Sequence, residues 1–148
     1  MDTPIFCASH TPCVGICSTV YGDEVCRGCR RLSQEVVRWN GFSTDEKLVI
    51  IDRLGALIEL VMAEKIERLE VDLLTSALRQ FSIRYYPQHP PITWAYALIR
   101  NRADKRGERQ GLEEYGVWLK PEYRSASLTS LLSEIEEALY EQSQTLNS

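Results

Sequence analysis

"STDEKLVIIDRLGALIELVMAEK", Ser43–Lys65, is the stretch on which the reading of the fold turns. Ser43 followed three residues later by Glu46 is the reciprocal pairing of a capping box, which marks a helix start. Leu48, Ile51, Ile58 and Met62 then recur at helical spacing, and Leu54, Leu57 and Val61 widen the stripe. Asp45, Asp52 and Glu59 return every seven residues on the other side. The pattern predicts a helix over 44–64 with one face committed to a core.

Beyond Lys65 two readings compete. Ile66, Leu69, Leu73, Ala77 and Phe81 would extend a helical stripe, yet "ERLEVD" also reads as a short strand ending at Asp72, a residue suited to cap a new helix over 73–80. "FSIRYY" has the aromatic and branched content of a strand, so a small hairpin between the two segments is one expectation, and "PQHPP" then breaks regular structure, with His89 in a surface turn. Thr93 is placed to cap a helix through "WAYALIRNRADKR" with Trp94, Ala97 and Leu98 facing inward. Gly107, Gly111 and Gly116 mark loops, and Trp118 and Tyr123 in "YGVWLKPEY" read as core. Ser127 opens a last amphipathic helix whose Leu128, Leu131, Leu132, Ile135 and Leu139 face inward and whose Glu134, Glu136, Glu137 and Glu141 face out.

In the other direction lies the densest chemistry of the chain. "PCVGICSTVYGDEVCRGC", Pro12–Cys29, holds four of the five cysteines. Cys13 and Cys17 form a C-x3-C pair, Cys26 and Cys29 a C-x2-C pair, and eight residues separate them. Each pair closes a tight loop that can aim two sulfurs at one point, and the short connection makes their convergence cheap in loop entropy. Gly15 and Gly28 sit inside the pairs, where the backbone must bend. Four thiolates suit a closed tetrahedral Zn²⁺ site or an iron–sulfur cluster, and spacing does not separate the two. Arg27, Arg30 and Arg31 are placed to offset the negative charge of either centre. His10 stands three residues before Cys13 as a less suitable alternative ligand, and Cys7 lies outside the pattern. After the cysteines, "RLSQEVVRW" predicts a short helix bringing Val36, Val37 and Trp39 against the lobe, with Gly41 ending it.

"PCVGIC" followed by "CRGCRRLSQEVVRWNGFSTDEK" resembles the short bacterial domain of unknown function 1289, whose members are labelled predicted Fe-S proteins. The resemblance spans about residues 11–54 and takes in the four cysteines, Gly15, Gly28, Arg27, Trp39, the Ser43 turn and the helix after it. It implies a metal or cluster site at Cys13, Cys17, Cys26 and Cys29. It implies no reaction, and nearly a hundred residues follow it that it does not explain.

The 148 residues suit one domain of ordinary size, or one domain carrying a small appendage, and a hydrophobic fraction of 44% can build a core without disulfides. Asp52, Arg53, Glu59 and Glu64 interrupt the most apolar stretch, so no membrane association is expected, and "MDTPIFCASH" lacks the basic and apolar regions of a secretory leader. A cytoplasmic location follows as the expectation, and clustered cysteines there point to a metal before a disulfide.

The expected fold class is therefore mainly α: a four-cysteine metal-binding knuckle lobe over residues 1–42, then a helical domain over 43–148, with room for a short β-hairpin. The expected function is a non-enzymatic cytoplasmic metal-binding protein, Zn²⁺ or iron–sulfur, acting as an adaptor or interaction module toward another protein. An alternative is an iron–sulfur protein in electron transfer or redox sensing. A weaker one is nucleic-acid binding through the basic segment 100–109 in "RNRADKRGERQ", set against an overall charge of −4. Neither histidine adjoins a nucleophile motif and the glycines do not form a phosphate loop, so no enzyme class is favoured.

Overall fold

The computed structural model describes residues 24–26, 29–103 and 111–147. Cys7, His10, Cys13, Cys17, Arg27, Gly28 and most of the basic segment, 104–110, lie outside the described residues. The remainder is mainly helical, with α1 (Ser33–Arg38), α2 (Thr44–Ala63), β1 (Ile66–Leu69), α3 (Val71–Gln80), α4 (Pro91–Ala103), β2 (Val117–Leu119) and α5 (Leu128–Asn147). Among the described residues no helix is long and apolar enough to cross a membrane.

Helix α2 begins where its capping box places it. The Ser43 amide donates to Glu46 Oε1 at 3.0 Å, and Ser43 Oγ accepts from the Glu46 amide at 3.1 Å. Its buried side adds Ile50 to the expected stripe. Gly55 is also buried there, because the His89 imidazole lies so close that a Cβ would sit 2.6 Å from the ring. His89 does lie in a turn, its amide donating to the Tyr86 carbonyl at 3.0 Å, but its side chain leaves the surface: it packs against α2 and its Nε2 meets Asp52 Oδ1 at 3.0 Å.

The strand reading after Lys65 holds, but the partner differs. β1 pairs antiparallel with β2, with Ile66 opposite Leu119, Arg68 opposite Trp118 and Leu69 opposite Val117, and with an irregularity between Ile66 and Arg68. "FSIRYY" forms no strand because its first residues close α3 instead. Ser82 takes a left-handed φ of 53°, its amide donates to the Arg79 carbonyl, and the Ile83 amide donates to the Leu78 carbonyl at 2.9 Å. This is the Schellman pattern, with Ile83 packed in the same cluster as Leu78. α3 also starts earlier than Asp72 suggested: Glu70 precedes it, and its amide is held by the Gly116 carbonyl at 2.7 Å.

Helix α4 starts at Pro91, two residues before the expected cap. Proline at the first helical position brings no orphan amide, and Thr93 Oγ donates to the Pro90 carbonyl at 2.7 Å instead of capping from outside. No residue of α4 is fully exposed; Ala95, Tyr96, Leu98 and Ile99 are its most buried positions, and Trp94 and Ala97 pack partly buried against the same core. A helix covered on all sides belongs at the centre, and α4 packs against α2, α3 and α5. Ser127 opens α5 as expected, accepting the Ser130 amide at 3.1 Å, and Leu128, Leu131, Ile135 and Leu139 enter the core. Val117 and Leu119 are buried, whereas Trp118 turns out toward Arg68, whose guanidinium lies 4.7 Å from its ring centroid.

Gly116 is the tightest backbone point. Its φ is +81°, and a Cβ there would lie 2.4 Å from the Glu70 carbonyl. Gly116→Ala is expected to lower stability by at least about 1–2 kcal/mol from the left-handed backbone alone. Urea denaturation of the two proteins measures it, and an unchanged midpoint contradicts this account of the α3–β2 junction.

Candidate metal centre

The cysteine segment folds back on itself before α1. The Ser33 amide donates to the Glu24 carbonyl at 2.8 Å, Val25 bridges Leu32 antiparallel, and the Cys26 amide donates to the Arg31 carbonyl at 2.8 Å. The Arg30 amide then returns to the Cys26 carbonyl at 2.7 Å. Arg30 takes a φ of 66°, the left-handed conformation that lets the chain reverse so tightly. Cys26 and Cys29 are therefore brought to the two sides of one closed turn. They are 1% and 4% exposed.

Three contacts fasten this turn. Arg31, 3% exposed, donates its Nε–H to Cys29 Sγ at 3.2 Å and lies over the Trp39 ring, 4.9 Å from its centroid. Arg30, 4% exposed, reaches the other way, over the Tyr96 ring of α4 and to within 4.0 Å of Glu136 on α5. Burial pushes the Tyr96 phenol up, so it stays protonated and donates to Glu136 Oε2 at 3.1 Å. Glu35 of α1 closes the third: Arg53 of α2 grips both its oxygens at 2.7 Å, and Oε1 also accepts the Leu32 amide at 2.8 Å.

Trp39 is the apolar counterpart of these polar ties. It is buried in a small cluster with Ile50, Ile51 and Leu54, edged by Phe42 and Tyr86. α1 was expected to turn both valines inward as well. Val37 is 82% exposed and Val36 only half-buried, because the inner side of this six-residue helix is given to Glu35.

Two buried sulfurs are donors of the type a soft cation takes, and the other two expected ligands lie outside the described residues. Burial pushes the Cys29 thiol up, and the hydrogen bonds and charge of Arg31 only partly counter it. A buried thiol of that kind gives up its proton to a coordinating metal more readily than to solvent. Cys13 and Cys17 lie outside the described residues, as does Arg27, so the structure describes the second sulfur pair only. No group of three or more His, Cys, Asp or Glu side chains poised for a metal occurs among the described residues. Of the basic segment, Arg100 and Arg102 are described; both are half-buried, and Arg102 lies 4.0 Å from the Phe81 ring centroid.

Sequence reading missed the Arg30–Glu136 and Glu35–Arg53 ties. Glu136 was assigned to the outer face of α5, and no periodicity relates Glu35 to Arg53, 18 residues away. The comparisons bear on the same region. Residues 11–57 match the family described as "Protein of unknown function (DUF1289)". No curated protein and no solved structure matches the chain.

The Glu35–Arg53 tie carries a pH signature. Burial would raise the Glu35 carboxyl, but the bonds from Arg53 and Leu32, with the nearby Arg53 and Arg31 charges, outweigh it and hold the group below the usual carboxylate range. Its stabilising contribution is thus present above the unfolded value of about 4.3 and is lost as pH falls through the folded value. Glu35→Gln is expected to be less stable than the parent at pH 7, by about 1–3 kcal/mol. The gap should narrow below about pH 4.3. Urea midpoints across that range measure it, and a gap independent of pH counts against the pairing.

Proposed function

We propose a function from the site itself, since residues 11–57 match a family model whose description states no activity: the protein is a metal-binding adaptor. Cys13, Cys17, Cys26 and Cys29 together hold Zn²⁺ or an iron–sulfur cluster, in a small knuckle lobe joined to the helical body. The observation that carries this reading is the Cys26–Cys29 turn, with two buried sulfurs on one closed loop and an arginine N–H directed at one of them. Four thiolates close a site to substrate, so the bound ion would supply folding energy and a fixed surface, with no reaction at the ion. Zn²⁺ is favoured over a cluster because two compact sulfur pairs suit one small ion.

The adaptor role finds support in the surface of the first two helices. Val37 on α1 and Val49 and Leu60 on α2 stand exposed, apolar positions that a protein partner would cover. A cytoplasmic location accords with thiols kept reduced for a metal.

Elemental analysis of protein purified without oxygen tests the reading. About one equivalent of zinc per chain without visible absorbance is expected, and iron with sulfide and a visible spectrum would move the assignment to a cluster. Cys26→Ser and Cys29→Ser should each lose the metal, and a chelator should lower the thermal midpoint of the parent. Protein that carries neither metal, and binds none when offered it, sinks the proposal.

A further inference from the structure

Among the described residues, three guanidiniums stand around the Cys26–Leu32 turn, and carboxylates answer two of them. Glu35 gives both oxygens to Arg53, and Glu136 faces Arg30 at 4.0 Å. Arg31 is the third cation, nearly as buried as any residue of the core. Glu35 is near enough to feel its charge, but both carboxylate oxygens are already bonded elsewhere. Among the described residues, the hydrogen-bond acceptor given to the Arg31 side chain is Cys29 Sγ at 3.2 Å. A neutral thiol accepts only weakly, and a buried cation without a counter-charge is costly. A metal-bound thiolate supplies both the charge and the acceptor.

We propose that Arg31 is a positioning residue of the four-thiolate centre: its Nε–H donates to the Cys29 thiolate, fixes the direction of that sulfur, and offsets part of the negative charge. This rests on the metal-binding reading above and goes beyond it by assigning the outer contact that favours the loaded protein over the metal-free one. The Trp39 ring beneath the guanidinium, 4.9 Å to its centroid, keeps the fork oriented toward sulfur. The neighbouring Arg30 is directed at Tyr96 and Glu136.

The experiment uses the full chain, stripped of metal and titrated with Zn²⁺ against a chromophoric chelator, for the parent, Arg31→Met and Arg31→Lys. A second readout is the alkylation rate of Cys29 in the Zn²⁺-loaded proteins, mapped by mass spectrometry, with circular dichroism reporting the fold. Arg31→Met is expected to bind Zn²⁺ about 10- to 100-fold more weakly. Its Cys29 should also alkylate faster, since a thiolate without a hydrogen-bond donor is the stronger nucleophile. Arg31→Lys should fall between, keeping the charge but not the planar fork.

Should Arg31→Met fail to fold, Arg31→Lys decides: reduced affinity with faster Cys29 alkylation supports the proposal, and parental values for both overturn it. Variants that melt earlier yet keep the parental Zn²⁺ affinity and Cys29 rate assign Arg31 to packing on Trp39, and that also overturns it. A parent chain that binds no Zn²⁺ removes the metal-binding reading together with this one. A parent that binds it as tightly as Arg31→Met does removes only the role of Arg31.

Discussion

Ile50, Ile51 and Leu54 in the first half of α2 pack beneath Trp39, while Leu57, Val61 and Met62 in its second half pack into the main core. One continuous helix therefore belongs to two apolar clusters. The helix thereby joins the two clusters, and residues Cys26 and Cys29 are placed relative to α4 and α5. Arg53 lies on the same helix and takes hold of Glu35, so the polar tie and the apolar one act on neighbouring parts of α1 and the residues after it. The position of the Cys26–Cys29 turn is a consequence of that shared helix.

Around this turn, charge is distributed by pairing. Burying a guanidinium is tolerable only with an anion and with its hydrogen bonds met. Of the buried arginines, Arg30 meets Glu136 and Arg31 meets sulfur, while the exposed Arg53 meets Glu35. The two carboxylate pairs join the turn to α2 and α5, and the sulfur contact belongs to the turn itself. Tyr96 adds a neutral donor to Glu136 from the central helix, so the cysteine turn touches both α4 and α5 through one arginine.

Much of the local structure was legible because its signals are local. Ser43 and Glu46 are three residues apart, and their reciprocal bonds form within a single turn whatever the rest of the chain does. Ser127 and the leucines after it behave in the same way. The strand over "ERLEVD" was correctly suspected, but its partner was sought in "FSIRYY", the nearest β-prone run. That run lost its first residues to the end of α3, since a left-handed Ser82 satisfies two helix carbonyls at once. The actual partner, Val117–Leu119, lies about fifty residues away and advertises itself only by three residues after a glycine.

From the chain of residues alone came the cysteine pairs, the arginines beside them, the long capped helix and the amphipathic last one, because each is written in spacings of three to eight residues. Only the packed molecule could decide that α4 lies at the centre, that His89 seats on Gly55, and that Glu136 turns toward Arg30. Those outcomes depend on which distant surfaces exclude water together and which charges are then left needing a partner. Periodicity carries no information about either, since a side chain reads the same in sequence whether solvent or a guanidinium stands opposite it.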